Sequence, residues 1–240
     1  MAKLRAYARA RGAHALLAEV AFERGNALSG DAAVRAWLEA GRLLREDCGD
    51  PKGARRAYAK AMEAAPSDEE AFLGEALCLH ELEAWSELEA LYRRRLGASS
   101  ERGEQASLHI YLAEILGEHM EDPNGAVEAL VRAAQLDPLM LRVLPQLERW
   151  VEVAGAHAEL AVVLGDLVMH QPDAQLRAAL CVRLAELHLG PLADRDRALT
   201  YLRSALVELE VDPTSLESVE DLSVHHEALD KAQSNLREVT

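Results

Sequence analysis

The sequence predicts an all-α chain, a solenoid of helix pairs, and three observations carry that prediction. First, the chain repeats itself. Asp50-Pro51-Lys52-Gly53-Ala54 returns 72 positions on as Asp122-Pro123-Asn124-Gly125-Ala126, and again as Asp194-Arg195-Asp196-Arg197-Ala198. Second, small or apolar residues follow each of these segments at helical spacing, at 54, 57, 58, 61, 62 and 65, and at 198, 201, 202, 205, 206 and 209. Such a set marks one face of an amphipathic helix. Third, no segment alternates apolar and polar over a strand's length, which argues against sheet.

Taken in order, the chain opens inside a repeat. Residues 1–29 read as a partial unit, because Gly12-Ala13-His14-Ala15 reappears as Gly155-Ala156-His157-Ala158, an offset of 143. Residues 30–210 hold about five helix pairs, the 72-residue unit being two related halves of about 36. Asp50 and Asp122 read as N-caps with Pro51 and Pro123 at the first helical position, where proline's fixed φ helps and its missing N–H costs nothing. Asp194 is their counterpart. Ser67 with Glu70 reads as a capping box for the following helix. Pro145 falls one turn into a helix. Residues 211–240 read as capping helices or as the start of another repeat, with Thr214 and Glu217 as a second box. About a dozen helices are expected, in one solenoid over 1–240.

Composition narrows the function. The 240 residues carry 26 basic and 41 acidic side chains, a net charge of −15, which opposes the cationic face that nucleic acid requires. Aromatics are 4%, too few for stacking platforms, while 50% hydrophobic content excludes disorder. Apolar runs fall short of the roughly 18–20 residues that span a bilayer, and Met1-Ala2-Lys3-Leu4-Arg5 leads into further arginines rather than a signal core. A cytoplasmic protein is the expectation. Arginine outnumbers lysine 22 to 4, as in chains from GC-rich bacterial genomes.

The spacing resembles the tetratricopeptide repeat (TPR). Trp37, Ala40, Gly41 and Leu44 fit a first helix; Ala54, Tyr58, Ala61 and Pro66 fit a second. The third repeat offers Leu112, Ala113 and Leu116, then Ala126, Leu130, Ala133 and Pro138. The fifth offers Leu184, Ala185 and His188, then Ala198, Leu202 and Ala205. Small residues let helices cross closely while a large neighbour fills the groove. Even repeats depart, with Arg95 and Glu148 where a small residue is expected, and odd repeats carry one extra residue between their helices. The resemblance implies a right-handed superhelix of antiparallel helix pairs whose first helices line a concave face.

On that face the resemblance places Arg35, Arg42 and Arg45, then Glu70, His80 and Glu81, then Ser107, Glu114 and Glu118, then Arg142, Arg149 and Glu152, and finally Glu186. The pattern reads as an arginine end, an acidic centre and a second arginine pair. It suits a peptide or protein segment of complementary charge, and equally suits the solvated faces of ordinary amphipathic helices. Residues 1–60 sum to +5 and the rest to −20, a gradient that favours head-to-tail self-association or the orienting of a polar partner, and that composition drift explains as readily.

Signals for chemistry are weak. No phosphate-loop, nucleophile-elbow or zinc-helix string occurs. Asp194-Arg195-Asp196 starts like a calcium loop but has Ala205 where the bidentate Glu belongs. The nine histidines are scattered, so no metal or cofactor is expected. His14 and His157 occupy matching positions, which argues for packing. Cys78 and Cys181 read as core fillers, and Cys48 as a thiol near a turn, open to reaction. The sequence therefore reads as a non-enzymatic protein–protein interaction scaffold, or alternatively as a self-associating segment of a larger assembly with an empty groove.

Overall fold

The computed structural model describes residues 13–137, 141–210 and 229–230. These residues form eleven α-helices and no strand. They are α1 (His14–Ala27), α2 (Asp31–Arg42), α3 (Pro51–Ala64), α4 (Glu69–Glu81), α5 (Trp85–Ala98), α6 (Arg102–Glu114), α7 (Pro123–Leu136), α8 (Leu144–Ala154), α9 (His157–His170), α10 (Ala174–Leu189) and α11 (Arg195–Glu208). Pro138, the first twelve residues and most of the tail read at 211–240 lie outside the described residues. The chain divides between Ala98 and Ser99 into two compact units. In each, helices consecutive in sequence pack as antiparallel pairs, so both units are stretches of all-α solenoid.

The 72-residue echo is visible in the helix bounds. Helices α3, α7 and α11 are each 14 residues long and start at 51, 123 and 195. The cause is local. Asp50, Asp122 and Asp194 each accept a hydrogen bond from the backbone N–H three residues on, at Gly53, Gly125 and Arg197, over 2.9–3.0 Å. Each cap satisfies one of the donors that a helix start leaves orphaned. The approach to these caps repeats as well. The N–H groups of Asp50, Asp122 and Asp194 donate to the carbonyls of Leu44, Leu116 and His188 at 2.8, 2.9 and 2.7 Å. In the first two registers the preceding helix ends in a five-residue π turn, Leu43–Asp47 after α2 and Ile115–His119 after α6. A π turn takes up one residue more than an α turn. It accommodates the extra residue of the odd repeats without moving the cap.

Two local readings shift. The cap of α4 is Asp68, which accepts from Ala71 N–H at 2.8 Å, rather than Ser67. Asp68 holds the extended cap conformation, and Glu70 turns away to an arginine on α2. Pro145 stands in the first turn of α8, because Leu141–Val143 forms a 3-10 turn before that helix begins. The helix ends at Gly155, whose φ of 71° is the left-handed C-cap conformation that glycine adopts without strain.

The core is a seam of alanine and leucine. Ala54, Tyr58, Ala61, Ala113, Ala126, Leu130, Ala133, Ala185, Ala198, Leu202 and Ala205 are all buried, and Gly41 with them; Trp37 is half-buried and Pro66 exposed. Tyr58 acts as a wedge: an added Cβ at Gly41 would stand 2.7 Å from its Cζ, and one at Gly74 2.6 Å from its Cδ1 and Cζ and nearer still to Cε1. Glycine on both flanking helices is what lets the ring in. Arg95 and Glu148, large where small residues are usual, turn outward to partners. The Arg95 guanidinium lies 5.5 Å from the Phe72 ring centroid, and Glu148 accepts from Arg183 Nε at 2.8 Å.

Candidate functional site

In the first unit, α2 and α4 are successive first helices and present one face together. Arg42 forms a two-pronged ion pair with Glu70, its second bond 2.9 Å long. Arg45 reaches Glu81 at 3.4 Å and Glu46 at 3.0 Å. Burial draws the Arg45 guanidinium below its ordinary pKa, but Tyr58, Glu81 and Glu46 outweigh it and leave the group raised. His80 sits edge-on to Trp85 with ring centroids 5.1 Å apart, and Arg35 is exposed on α2 two turns before Arg42. Between the two ion pairs, Leu73 and Leu77 stand one turn apart on α4, 48% and 47% exposed. Together they form a small apolar patch flanked by paired charges.

In the second unit the first helices are α6, α8 and α10. Arg149 of α8 pairs with Glu118, its second bond 3.2 Å long, and its guanidinium lies 4.6 Å from the Trp150 ring centroid. Arg183 of α10 bridges Glu148 at 2.8 Å and Glu186 at 2.9 Å. Glu114 and Glu152 are exposed on α6 and α8, Arg142 is exposed in the 3-10 turn before α8, and Ser107 is half-buried. Tyr111, 53% exposed, adds an aromatic ring to α6.

Sequence reasoning placed these charges on first helices and missed how they combine. Arg42, Arg45, Glu70 and Glu81 meet one another, as do Glu118 and Arg149. The arginine and acidic zones are largely internal ion pairs. Reasoning from sequence also missed Leu73, Leu77 and Tyr111. Their signal was their position at helical spacing from Glu70, Ser107 and Glu114.

The second unit also holds a cleft of about 650 Å³ between second helices α9 and α11, floored by α10. Ala158, Ala161, Val162, Gly165 and Met169 form one wall, with Leu184, His188, Leu192 and Tyr201 opposite. His188 is 4% exposed, and its Nδ1 has no hydrogen-bond partner. The imidazole stacks on Tyr201 with centroids 5.4 Å apart at an interplanar angle of 22°. Burial pushes the His188 pKa down; Asp194 opposes this and Arg197 adds to it. The ring is therefore neutral near pH 7.

The thiols favour the protonated form. Burial drives Cys78 and Cys181 each up to about 11. Burial, with Asp47 and Asp50 adding to it, also raises Cys48, so its place near a turn does not make it a ready nucleophile. Among the described residues no three His, Cys, Asp or Glu side chains gather as a metal site, and no helix is long and apolar enough to cross a membrane.

The helix pairs, their small-residue crossings and their repeating caps define an all-α helical-repeat fold with TPR-like spacing. No family model matches the chain, and no curated protein matches it. Among solved structures it is similar to MamA, at 19% identity over 74% of this chain and 92% of that one, with a TM-score of 0.44. It is similar to YrrB, described as a TPR protein with an unusual peptide-binding site, at 20% identity over 73% and 86% of the two chains, TM-score 0.42. PilF of Pseudomonas aeruginosa matches at 18% identity over 91% and 98%, TM-score 0.42.

Proposed function

We propose that this chain is a non-enzymatic interaction scaffold that holds a peptide or protein segment on the face of its first helices. One observation carries the reading. Leu73 and Leu77 are exposed on successive turns of α4, between the ion pairs Arg42–Glu70 and Arg45–Glu81. Pairing neutralises the charges nearest the leucines, so a segment that docks there meets apolar surface first and polar groups at its rim. That is the layout of a docking patch with a dry centre. The charged residues then set orientation more than affinity.

The test is site-specific photocrosslinking in the native cell. A photoreactive residue in place of Leu77 is expected to give a discrete adduct, which Leu73→Asp removes. The same probe at Lys60, exposed on second helix α3, is expected to give none. Identical adducts from both positions, or an adduct indifferent to Leu73→Asp, would defeat the proposal. An adduct of two copies of this chain would favour the self-associating assembly instead, and light scattering would then show a size that grows with concentration.

A further inference from the structure

The cleft of the second unit has a counterpart in the first unit, and there it is filled. The offset of 143 that aligns α1 with α9 sets Phe22 on Gly165. The 144-residue step that aligns α2 with α10 and α3 with α11 sets Ala40 on Leu184 and Ala57 on Tyr201. In the first unit Phe22 packs against Ala21, Ala40 and Ala57, closing the gap between second helices, and Arg56 stands 5.8 Å from its ring centroid. In the second unit Gly165, Leu184 and Tyr201 all line open space. An added Cβ at Gly165 meets no atom within 4 Å.

We infer that this cleft receives an aromatic side chain from a partner segment with basic flanks. Three features choose that occupant. The vacancy lies where this fold elsewhere seats a phenylalanine ring. Its back carries the His188–Tyr201 stack, an aromatic wall against which a partner's ring packs better than an aliphatic chain does. Its charged lining is Asp166, Asp194 and Arg197, with Arg197 already held by Asp194 at 3.3 Å, so the mouth leans acidic and favours lysine or arginine beside the anchor. Val162 and Met169, 57% and 81% exposed, form the apolar lip over which such a segment would lie. This site lies on second helices and is separate from the Leu73–Leu77 face.

The experiment is a titration of the full chain, followed by the NMR signal of the Gly165 amide. The probe is the capped peptide Lys-Ala-Tyr-Ala-Lys. A saturable shift is expected. Glutamate in place of both lysines should weaken binding by about tenfold, and alanine in place of tyrosine should abolish it. Gly165→Phe supplies the missing ring from within, so it should fold, melt no earlier than wild type and lose the peptide. Should that variant fail to fold, Val162→Ala with Met169→Ala trims only the exposed lip and should still weaken binding. No saturable shift in the wild-type protein would overturn the inference. So would equal binding of the alanine peptide, or undiminished binding to the folded Gly165→Phe or lip-trimmed chain. None of these outcomes bears on crosslinking at Leu77.

Discussion

Replacing Gly41 with alanine sets two known effects against each other. In the middle of a helix, alanine is favoured over glycine by about 1 kcal/mol, so α2 by itself should gain. Against that, the new methyl would stand 2.7, 2.8 and 2.9 Å from three carbons of the Tyr58 ring. Carbon atoms rest at about 3.5–4.0 Å, so the ring would have to withdraw by roughly 1 Å. Tyr58 is 2% exposed and has Gly74 behind it, where an added Cβ would lie 2.6 Å from Cδ1 and Cζ of the same ring. It has nowhere to go. Overpacking of this kind costs about 1–3 kcal/mol, so the net expectation is a loss of about 1–2 kcal/mol. In a chain of this size that is a fall in Tm of about 2–8 °C. Urea and thermal melts followed by circular dichroism would measure it. Gly165→Ala is the matched control, since its methyl meets nothing, and it should stabilise by about 0.5–1 kcal/mol. In a Tyr58→Leu background the penalty at Gly41 should largely vanish, as a coupling energy between two residues in contact. A Gly41→Ala protein more stable than wild type, or an equal loss with Tyr58 removed, would refute the wedge.

Asp122→Ala removes the cap of α7 and should cost about 1 kcal/mol, read by urea melts, with no change in helix content well below the transition. Leu116→Ala, at a side chain only 3% exposed, should cost about 2–5 kcal/mol by the same assay, and an unchanged midpoint would take Leu116 out of the core. The buried thiols make stability depend on alkali. Cys78 and Cys181 titrate near 9.0 when unfolded and near 11 when folded. Their contribution is complete below about pH 9, where both states are protonated, and is lost as pH rises toward 11, because only the unfolded chain can ionise. Cys78→Ala with Cys181→Ala should flatten that decline in melts taken across the range, and a decline unchanged by the double substitution would assign it to other groups.

What the sequence made legible was whatever is decided within one helical turn. Asp50, Asp122 and Asp194 cap because an aspartate, its own backbone and a donor three residues on are all that a cap needs. The repeat of the motif at 72 residues therefore located α3, α7 and α11 to the residue. Alanine and leucine at helical spacing gave the seam for the same reason. The ion pairs were not legible, because they join residues at no fixed separation. Arg42 meets Glu70, Arg45 meets Glu81, Glu118 meets Arg149 and Glu148 meets Arg183, at distances in sequence of 28, 36, 31 and 35. Long side chains reach whichever neighbour packing brings near, so a list of charges per helix overstates the field that a partner meets. Exposed pairs of this kind contribute little to stability, about 0–1 kcal/mol each, and their effect on recognition is to cancel charge locally.

At the back of the cleft one substitution breaks the repeat. Where Leu44 and Leu116 stand in the first two registers, the third carries His188. Swapping Phe22 for Gly165 empties space, while Leu184 and Tyr201 in place of Ala40 and Ala57 add volume that fills it only if the Tyr201 ring turns inward. Instead its ring lies nearly parallel to the imidazole, stacked against it. A buried nitrogen without a partner costs about 1–3 kcal/mol. His188→Leu removes that cost and the surface on which Tyr201 rests. The expected result is a protein more stable by about 1–2 kcal/mol in urea melts, with the Gly165 amide less responsive to the lysine-flanked tyrosine peptide. Stability and binding moving in opposite directions would mark His188 as retained for recognition rather than for packing. If His188→Leu instead destabilised the chain, the imidazole would be a packing element, and the cleft would be no more than the void it leaves.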